Sequence, residues 1–133
     1  MTQTIKDLKY SCQNDSFAQR LVDTIILGML EKKASDVVVL DLRGIKNAIT
    51  DFFVICSGNN DSQVDAITDS VEKEVFKRIG EEPWKKEGSA FKEWIILDYI
   101  DVVVHIFRKE KRIFYGLEEL WGDAKITRYP NIT

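Results

Sequence analysis

The sequence is poor in the residues that bind metals or form disulfides. It has one histidine, His105, and two cysteines, Cys12 and Cys56, among its 133 residues. A structural zinc site needs about four nitrogen or sulfur ligands close together, so this composition argues against one. Cys12 lies in a polar segment and Cys56 in an apolar run, which argues against a disulfide framework. We therefore expect no metal and no other cofactor.

Long apolar runs and an excess of basic charge are missing as well. The longest apolar runs, around residues 25–30 and 37–42, are interrupted by charge within a few residues and are too short to cross a bilayer. The formal net charge is -3, whereas a free-standing nucleic-acid binder usually needs a basic surface. An acidic protein can still dock onto a basic protein. The N-terminus lacks the basic start and apolar stretch of a secretory signal, so we expect a cytoplasmic protein with no membrane partner.

The hydrophobic pattern predicts a mixture of helices and strands. Apolar residues recur with helical spacing over residues 17–30, 64–79 and 112–121. The expected helix-capping residues are Ser16, Asn60, Gly80 and Gly122. Five short runs predict strands, at residues 36–42, 52–56, 84–87, 94–98 and 102–107.

These elements predict the fold class α/β, with a single domain and a mixed sheet of about five strands flanked by helices. Only residues 99–101 separate the last two strands, so these strands should pair as an antiparallel hairpin. Residues 1–15 are expected to be a flexible leader and residues 16–124 the domain. Residues 125–133 contain no periodic apolar face and are expected to be a C-terminal tail along the surface.

The most enzyme-like feature is the turn Ser57-Gly58-Asn59-Asn60, between a predicted strand and a predicted helix. A helix N-terminus offers N–H groups that suit a phosphate, and this turn resembles the Gly-Ser turn of nucleotidyltransferases. Those enzymes hold a metal ion with two carboxylates one residue apart on the following strand. No Asp-x-Asp pair follows the helix in this sequence, so we expect no catalysis here.

His105 is the only histidine that could act as a general base. Such a base needs a reacting group nearby and a second residue that orients it. Alternation along the strand puts His105 on one face with Val103 and Phe107, where it should be partly buried and hydrogen-bonded. A structural or interface role is therefore the simpler interpretation.

The turn of the predicted hairpin carries Asp98, Tyr99, Ile100 and Asp101. The two carboxylates could do acid–base work or cap their own turn, but neither role explains the aromatic and the aliphatic residue between them. Beside Trp94, an exposed aromatic and an exposed aliphatic residue favour a contact patch. The surrounding acidic groups suit docking onto a basic protein.

Five segments, in order along the chain, match the signatures of one family. They are TDFFVICSG (50–58), QV (63–64), EWIILDY (93–99), DVVVHIF (101–107) and YGLEELWGDA (115–124). The chain thus resembles the ribosomal silencing factor (Iojap-like) family over about residues 20–124. It departs from the family pattern at Asn59-Asn60, where smaller residues are usual, and at Ile100, where glycine is common.

The resemblance implies a nucleotidyltransferase-like fold without the catalytic carboxylates, no enzymatic activity, and often a homodimer. It implies a translational repressor that binds the large ribosomal subunit through ribosomal protein fourteen. Occupying that surface would sterically block association with the small subunit and lower translation when nutrients are scarce. The basic segment 108–112, most simply a solvated loop, would contact rRNA at most peripherally.

The resemblance also implies which residues contact the partner. The leading candidates are Trp94, Asp98 and Tyr99, followed by Asp101, His105, Tyr115 and Glu118. Two other functions stay open on the residues alone. One is a metal-dependent nucleotidyltransferase, and the other is a generic protein-binding adaptor.

Overall fold

The structure, a computed structural model, describes residues 13–131, together with their side chains except those of residues 13–16, 113–115 and 119. The elements in chain order are α1 (Gln13–Glu31), β1 (Ser35–Asp41), β2 (Phe52–Gly58), α2 (Asp61–Ile79), β3 (Lys85–Glu87), β4 (Trp94–Asp98), β5 (Val102–Arg108), α3 (Lys109–Tyr115), α4 (Leu117–Leu120) and β6 (Lys125–Arg128). The predicted α/β class is confirmed.

The sheet is mixed, as predicted, but it has six strands in the order β3-β4-β5-β2-β1-β6. Strands β2 and β5 run parallel, and the other neighbours are antiparallel. The sixth strand, β6, lies in the segment expected to be a surface tail. It is an exposed edge strand, so no alternation of apolar and polar residues marks it in the sequence.

Helices α1 and α2 pack together on one face of the sheet and bury the larger core. Their crossing is close at Gly28, where an added Cβ would lie 2.8 Å from the Cα atom of Val71. Ser70 fixes the same crossing because its hydroxyl donates to the Gly28 carbonyl oxygen at 2.8 Å. A small residue is therefore required at this point of α1.

The predicted caps of α2 are confirmed, and that of α1 is wrong. Asn60 accepts the Gln63 backbone N–H through its side chain at 2.9 Å, and Gly80 ends the helix with a φ of 82°. Helix α1 begins at Gln13, so Ser16 lies inside the helix and not at its cap. Residues 13–15 are polar and gave no apolar signal for this first turn.

The single helix predicted over residues 112–121 is wrong. Helix α3 begins earlier, at Lys109, and the backbone at Gly116 adopts a left-handed conformation with a φ of 59°. Only the short helix α4 follows, and Leu120 within it is exposed, although helical spacing placed it on the apolar face. Gly116 therefore divides this segment into two short helices.

The second sheet face is covered much less than the first. Its smaller core is formed by β1, β2 and β5, with Leu117 and Ala124 from the C-terminal segment. Trp94, Ile96 and Trp121 pack at its margin and stay only partly buried. We call the side of the sheet opposite α1 and α2 the open face.

Candidate protein-binding face

Strand β4 presents a row of half-buried side chains on the open face. Its burial alternates, with Ile95 and Leu97 fully buried against the helices and Trp94, Ile96 and Asp98 half-buried on the opposite side. Beyond β4 there is only the three-residue edge strand β3, whose side chains are all exposed. Among the described residues, the open face over β4 is therefore only partly covered.

Trp94 is the largest side chain of this row and belongs to an aromatic cluster. Its ring stacks on Phe107 with a centroid distance of 5.0 Å, and its indole Nε1–H donates to His105 Nδ1 at 3.0 Å. The His105 ring meets Phe53 edge-on at 4.5 Å, and Phe53 in turn meets Trp121 at 5.9 Å. The cluster thus extends from β4 across β5 and β2, with a partly exposed tryptophan at each end.

His105 lies beneath Trp94 and is only 4% exposed. The predicted face, shared with Val103 and Phe107, and the predicted hydrogen bond are confirmed. Burial lowers the pKa of His105 to about 3, so the ring is neutral at physiological pH. Since Nδ1 accepts a hydrogen bond, the neutral ring carries its proton on Nε2, which has no partner in the described part of the chain. This burial leaves little surface for direct contact with a partner.

The hairpin turn is tied to the start of β2. Thr50 Oγ1 donates to the Ile100 carbonyl oxygen at 2.8 Å, and the Asp51 N–H donates to the Asp101 carbonyl oxygen at 3.1 Å. Asp98 caps the turn, because its carboxylate accepts the Ile100 N–H at 2.8 Å. Asp98 and Asp101 are both half-buried, so each keeps some surface that a partner can reach.

Tyr99 is not at the exposed turn surface where the sequence analysis placed it. It is 8% exposed and packs in the larger core on the helix side of the sheet. Burial raises the pKa of its hydroxyl far above the usual range, with smaller contributions from Glu72 and Glu82. The reason is alternation: Asp98 faces the open side, so Tyr99 turns to the other. Trp94 and Tyr99 therefore lie on opposite faces.

An apolar corner that the sequence analysis missed adjoins the turn. Ile49, Trp84 and Ile100 come from three separate segments and are 81%, 71% and 60% exposed. With Asp98 and Val103 they line a shallow cavity of about 240 Å³. Ile100 was predicted to be exposed, and this is confirmed. Ile49 and Trp84 lie in loops, where no periodic pattern predicts exposure. Their being large apolar residues in polar surroundings is the one sequence feature that could have indicated a surface site.

The basic segment 108–112 is not the solvated loop that was predicted, because it forms the end of β5 and the start of α3, where Arg112 joins Glu118 in an ion network. Arg112 is 8% exposed and pairs with Glu118 at 2.9 Å. Its guanidinium also donates to the Asp36 carbonyl oxygen at 2.6 Å and to Ser57 Oγ at 2.9 Å. A bulge in β1, where Asp36 has a φ of 52°, turns that carbonyl toward Arg112.

This network lies beside β1 and β6, where Glu118 lines a cavity of about 440 Å³ together with Arg112 and Arg128. The structure therefore places Glu118 in an ion network beside that sheet edge, and no hydrogen bond or ion pair described for it involves the β4 row. Tyr115 ends α3, but its side chain lies outside the described residues.

The Ser57-Gly58 turn is occupied by the protein's own contacts. Ser57 Oγ accepts from Arg112, and the side chain of Gln63 accepts the Asn59 N–H at 2.7 Å. Cys56 is buried beside the turn, and burial raises its pKa to about 12, so its thiol is protonated at neutral pH. Among the side chains that are described within residues 13–131, no group of three His, Cys, Asp or Glu is placed to hold a metal ion. No helix in that range is long and apolar enough to cross a membrane.

Fold and face together define a small α/β protein with one sheet face covered by two long helices and a second face that is buried at its centre and half-exposed at β4. Solved structures share this fold: a crystal structure of a Bacillus halodurans protein has a TM-score of 0.69 and 36% identity, covering 86% of this chain and 98% of that one. A crystal structure of a Chromobacterium violaceum protein has a TM-score of 0.73 and 29% identity, covering 78% of this chain and 85% of that one.

The family model described as ribosomal silencing factor during starvation matches residues 15–133, and the chain belongs to this family. It is 43% identical to the ribosomal silencing factor of Halalkalibacterium halodurans over 106 residues, which are 80% of this chain and 89% of the relative. It is 43% identical to that of Bacillus subtilis over 96 residues, 72% of this chain and 80% of the relative. The chloroplastic Iojap protein of Zea mays is 38% identical over 75% of this chain and 42% of its own length. Membership indicates a ribosome-associated silencing role.

Proposed function

We propose that the protein binds the large ribosomal subunit through ribosomal protein fourteen and sterically blocks association with the small subunit. This binding lowers translation when nutrients are limiting. The proposal is supported by membership of the silencing-factor family and by the open sheet face. The observation that carries it is the half-buried row of Trp94, Ile96 and Asp98, which the described residues leave partly exposed.

The chemistry of this face suits a basic protein surface. Trp94 and the exposed corner residues supply apolar area, and aromatic anchors of this kind dominate many interfaces. Asp98 and Asp101 supply negative charge beside that area and favour a basic partner over other surfaces. His105 supports the face from within, whereas Tyr99 packs on the opposite side of the sheet. Contact through Tyr115 and Glu118 is a separate proposal, because these residues lie outside the β4 row.

The protein acts in this proposal without catalysis, in the cytoplasm, and as a homodimer. Contact with rRNA is peripheral and follows docking. A metal-dependent nucleotidyltransferase is the competing function, and titrating nucleotide and magnesium tests it directly. Turnover that is lost on changing Asp98 or Asp101 would support the enzyme and contradict the silencing proposal. Sedimentation equilibrium of the full chain tests the dimer.

Sedimentation with purified ribosomal subunits tests the proposed function. The protein should co-migrate with the large subunit alone and reduce the number of joined ribosomes when both subunits are mixed. Trp94→Ala should weaken binding roughly 30-fold or more, as expected for an aromatic anchor at an interface. The matched control is Phe76→Ala, which removes an exposed aromatic ring from α2 on the other side of the sheet.

Two results would contradict this assignment. Binding to the small subunit, or none to either, would argue against the silencing mechanism itself. Equal binding by the Trp94 and Phe76 variants would place the contact elsewhere on the molecule. Circular dichroism of both variants shows whether they fold, so a loss of binding is not confused with a loss of structure.

A further inference from the structure

The polar edge of the Trp94 indole is hydrogen-bonded to a buried acceptor. Its Nε1–H donates to His105 Nδ1 at 3.0 Å, and an indole has only this one polar hydrogen. Trp94 is half-buried on the open face, whereas His105 is 4% exposed beneath it. The hydrogen bond therefore turns the polar edge of the indole toward β5 and fixes the ring on the face.

The acceptor is itself held firmly. His105 lies opposite Ile96 of β4 and Ile55 of β2 in the sheet register, so its backbone is paired on both sides. Its ring meets Phe53 edge-on at 4.5 Å and lies nearly parallel to Phe107 at 6.4 Å. A side chain packed this way has few rotamers available, and it transmits its own position to the indole.

The choice of a histidine at this position has a cost that an apolar residue would avoid. Its Nε2–H is buried without a partner among the described side chains, and an unpaired buried donor loses the hydrogen bond that it makes to water in the unfolded chain. Phenylalanine would fill the same space without that unpaired donor, but it offers no in-plane acceptor to an indole N–H. What the histidine adds is the acceptor Nδ1. This nitrogen stays unprotonated at neutral pH because burial lowers the pKa of the His105 ring to about 3.

We infer that His105 is a positioning residue for large-subunit binding: its Nδ1 holds the Trp94 indole in the orientation that the ribosomal partner contacts. His105 does not touch the partner. This inference rests on the proposed docking function of the open face. It reassigns a residue that family resemblance alone would place among the direct contacts.

Two substitutions of similar shape distinguish the effect of losing the acceptor from the effect of losing the imidazole ring. Asn and Leu side chains have the same branched shape at Cγ, but only His105→Asn keeps an acceptor close to the position of Nδ1. His105→Leu should weaken binding to purified large subunits roughly tenfold, the size of one lost interaction of this kind. His105→Asn should bind within about threefold of the unchanged protein. If neither variant folds, His105→Phe keeps the ring volume and removes the acceptor.

A double-mutant cycle shows whether the effect passes through Trp94. In a Trp94→Phe background there is no indole N–H to hold, so His105→Leu should change binding by less than about twofold. The indole ¹⁵N–¹H resonance of Trp94 supplies an independent readout on the free protein. It should move on His105→Leu or His105→Phe and stay close to its original position on His105→Asn.

The outcomes distinguish this inference from the proposed function. If the unchanged protein does not bind the large subunit, the proposed function fails and this inference fails with it. If it binds, but His105→Leu weakens binding equally with and without the indole, only the positioning role is overturned. Equal binding by the Asn and Leu variants, or an unmoved Trp94 resonance in the Leu variant, would overturn it as well.

Discussion

Ile100 is a β-branched residue in left-handed backbone, with a φ of 77°. Its Cβ is crowded against the carbonyl oxygen in this conformation, at a cost of about 1–2 kcal/mol. The turn forms nonetheless, because Ile100 is held on both sides. Its carbonyl oxygen accepts a hydrogen bond from Thr50, and its N–H donates one to Asp98. The side chain that results is one of the most exposed apolar groups beside the β4 row.

Ile100→Gly should therefore stabilise the protein. Relief of the backbone strain outweighs the added entropy of glycine in the unfolded chain, for a net gain of about 0.5–1 kcal/mol in the free energy of unfolding. Urea denaturation measures this difference. The matched control is Ile49→Gly, at an exposed neighbour without a positive φ, which should lose stability. A loss of stability at both positions would show that Ile100 is not strained.

At the level of single residues, strand alternation decided which site predictions succeeded. His105 lies on the predicted face because β5 is regular throughout, whereas Tyr99 follows the last residue of β4 and keeps its alternation into the turn. Its exposure was predicted from the position in a turn, and the structure buries it. The buried structural role of Arg112 could not be predicted from its basic run. That role depends on a bulge at Asp36, distant in sequence, whose carbonyl oxygen accepts a hydrogen bond from the guanidinium.

The two long helices depend on one glycine at their crossing. A Cβ at Gly28 would lie 2.8 Å from the Cα atom of Val71 and 3.1 Å from the Ser70 carbonyl oxygen. Both are backbone atoms, so α1 and α2 would have to move apart. Gly28→Ala should therefore lower the free energy of unfolding by about 1–3 kcal/mol, even though alanine favours helix by about 1 kcal/mol over glycine.

Thermal and urea denaturation of Gly28→Ala measure this effect. Leu27→Ala, one residue earlier in α1 at a more exposed position, is the control and should cost less than the glycine substitution. A stability gain in Gly28→Ala would show that the helix crossing can relax and that only helix propensity matters there. This contact could not be predicted from the sequence, because a glycine inside an apolar helical pattern does not reveal which atoms lie opposite it.

The molecule as a whole follows the sequence prediction in its order of elements and departs from it at the C-terminus. Buried runs such as those of β2 and β5 are continuous and apolar, so their strands could be predicted directly. The unequal cover of the two sheet faces could not, because it arises from separate segments that pack on the sheet and leave no pattern within any one of them. The open face is thus a property of the assembled fold more than of any one motif.

The C-terminal segment provides a test at the scale of the whole sheet. Strand β6 pairs with β1 along four residues, the Tyr129 N–H donates to the Val37 carbonyl oxygen at 2.9 Å, and Asn131 Oδ1 accepts the Asp36 N–H at 2.8 Å. A chain that ends at residue 124 loses these bonds and the partly buried Tyr129 ring. Its free energy of unfolding should fall by about 2–4 kcal/mol.

The control for this truncation is a chain that ends at residue 131, which keeps β6 and every described contact of the segment. Urea denaturation of the two chains gives the difference directly. Equal stability would make residues 125–133 a surface tail outside the domain, as the sequence alone suggested. A loss confined to the shorter chain would make β6 part of the domain, because the edge of β1 then needs its partner strand to stay folded.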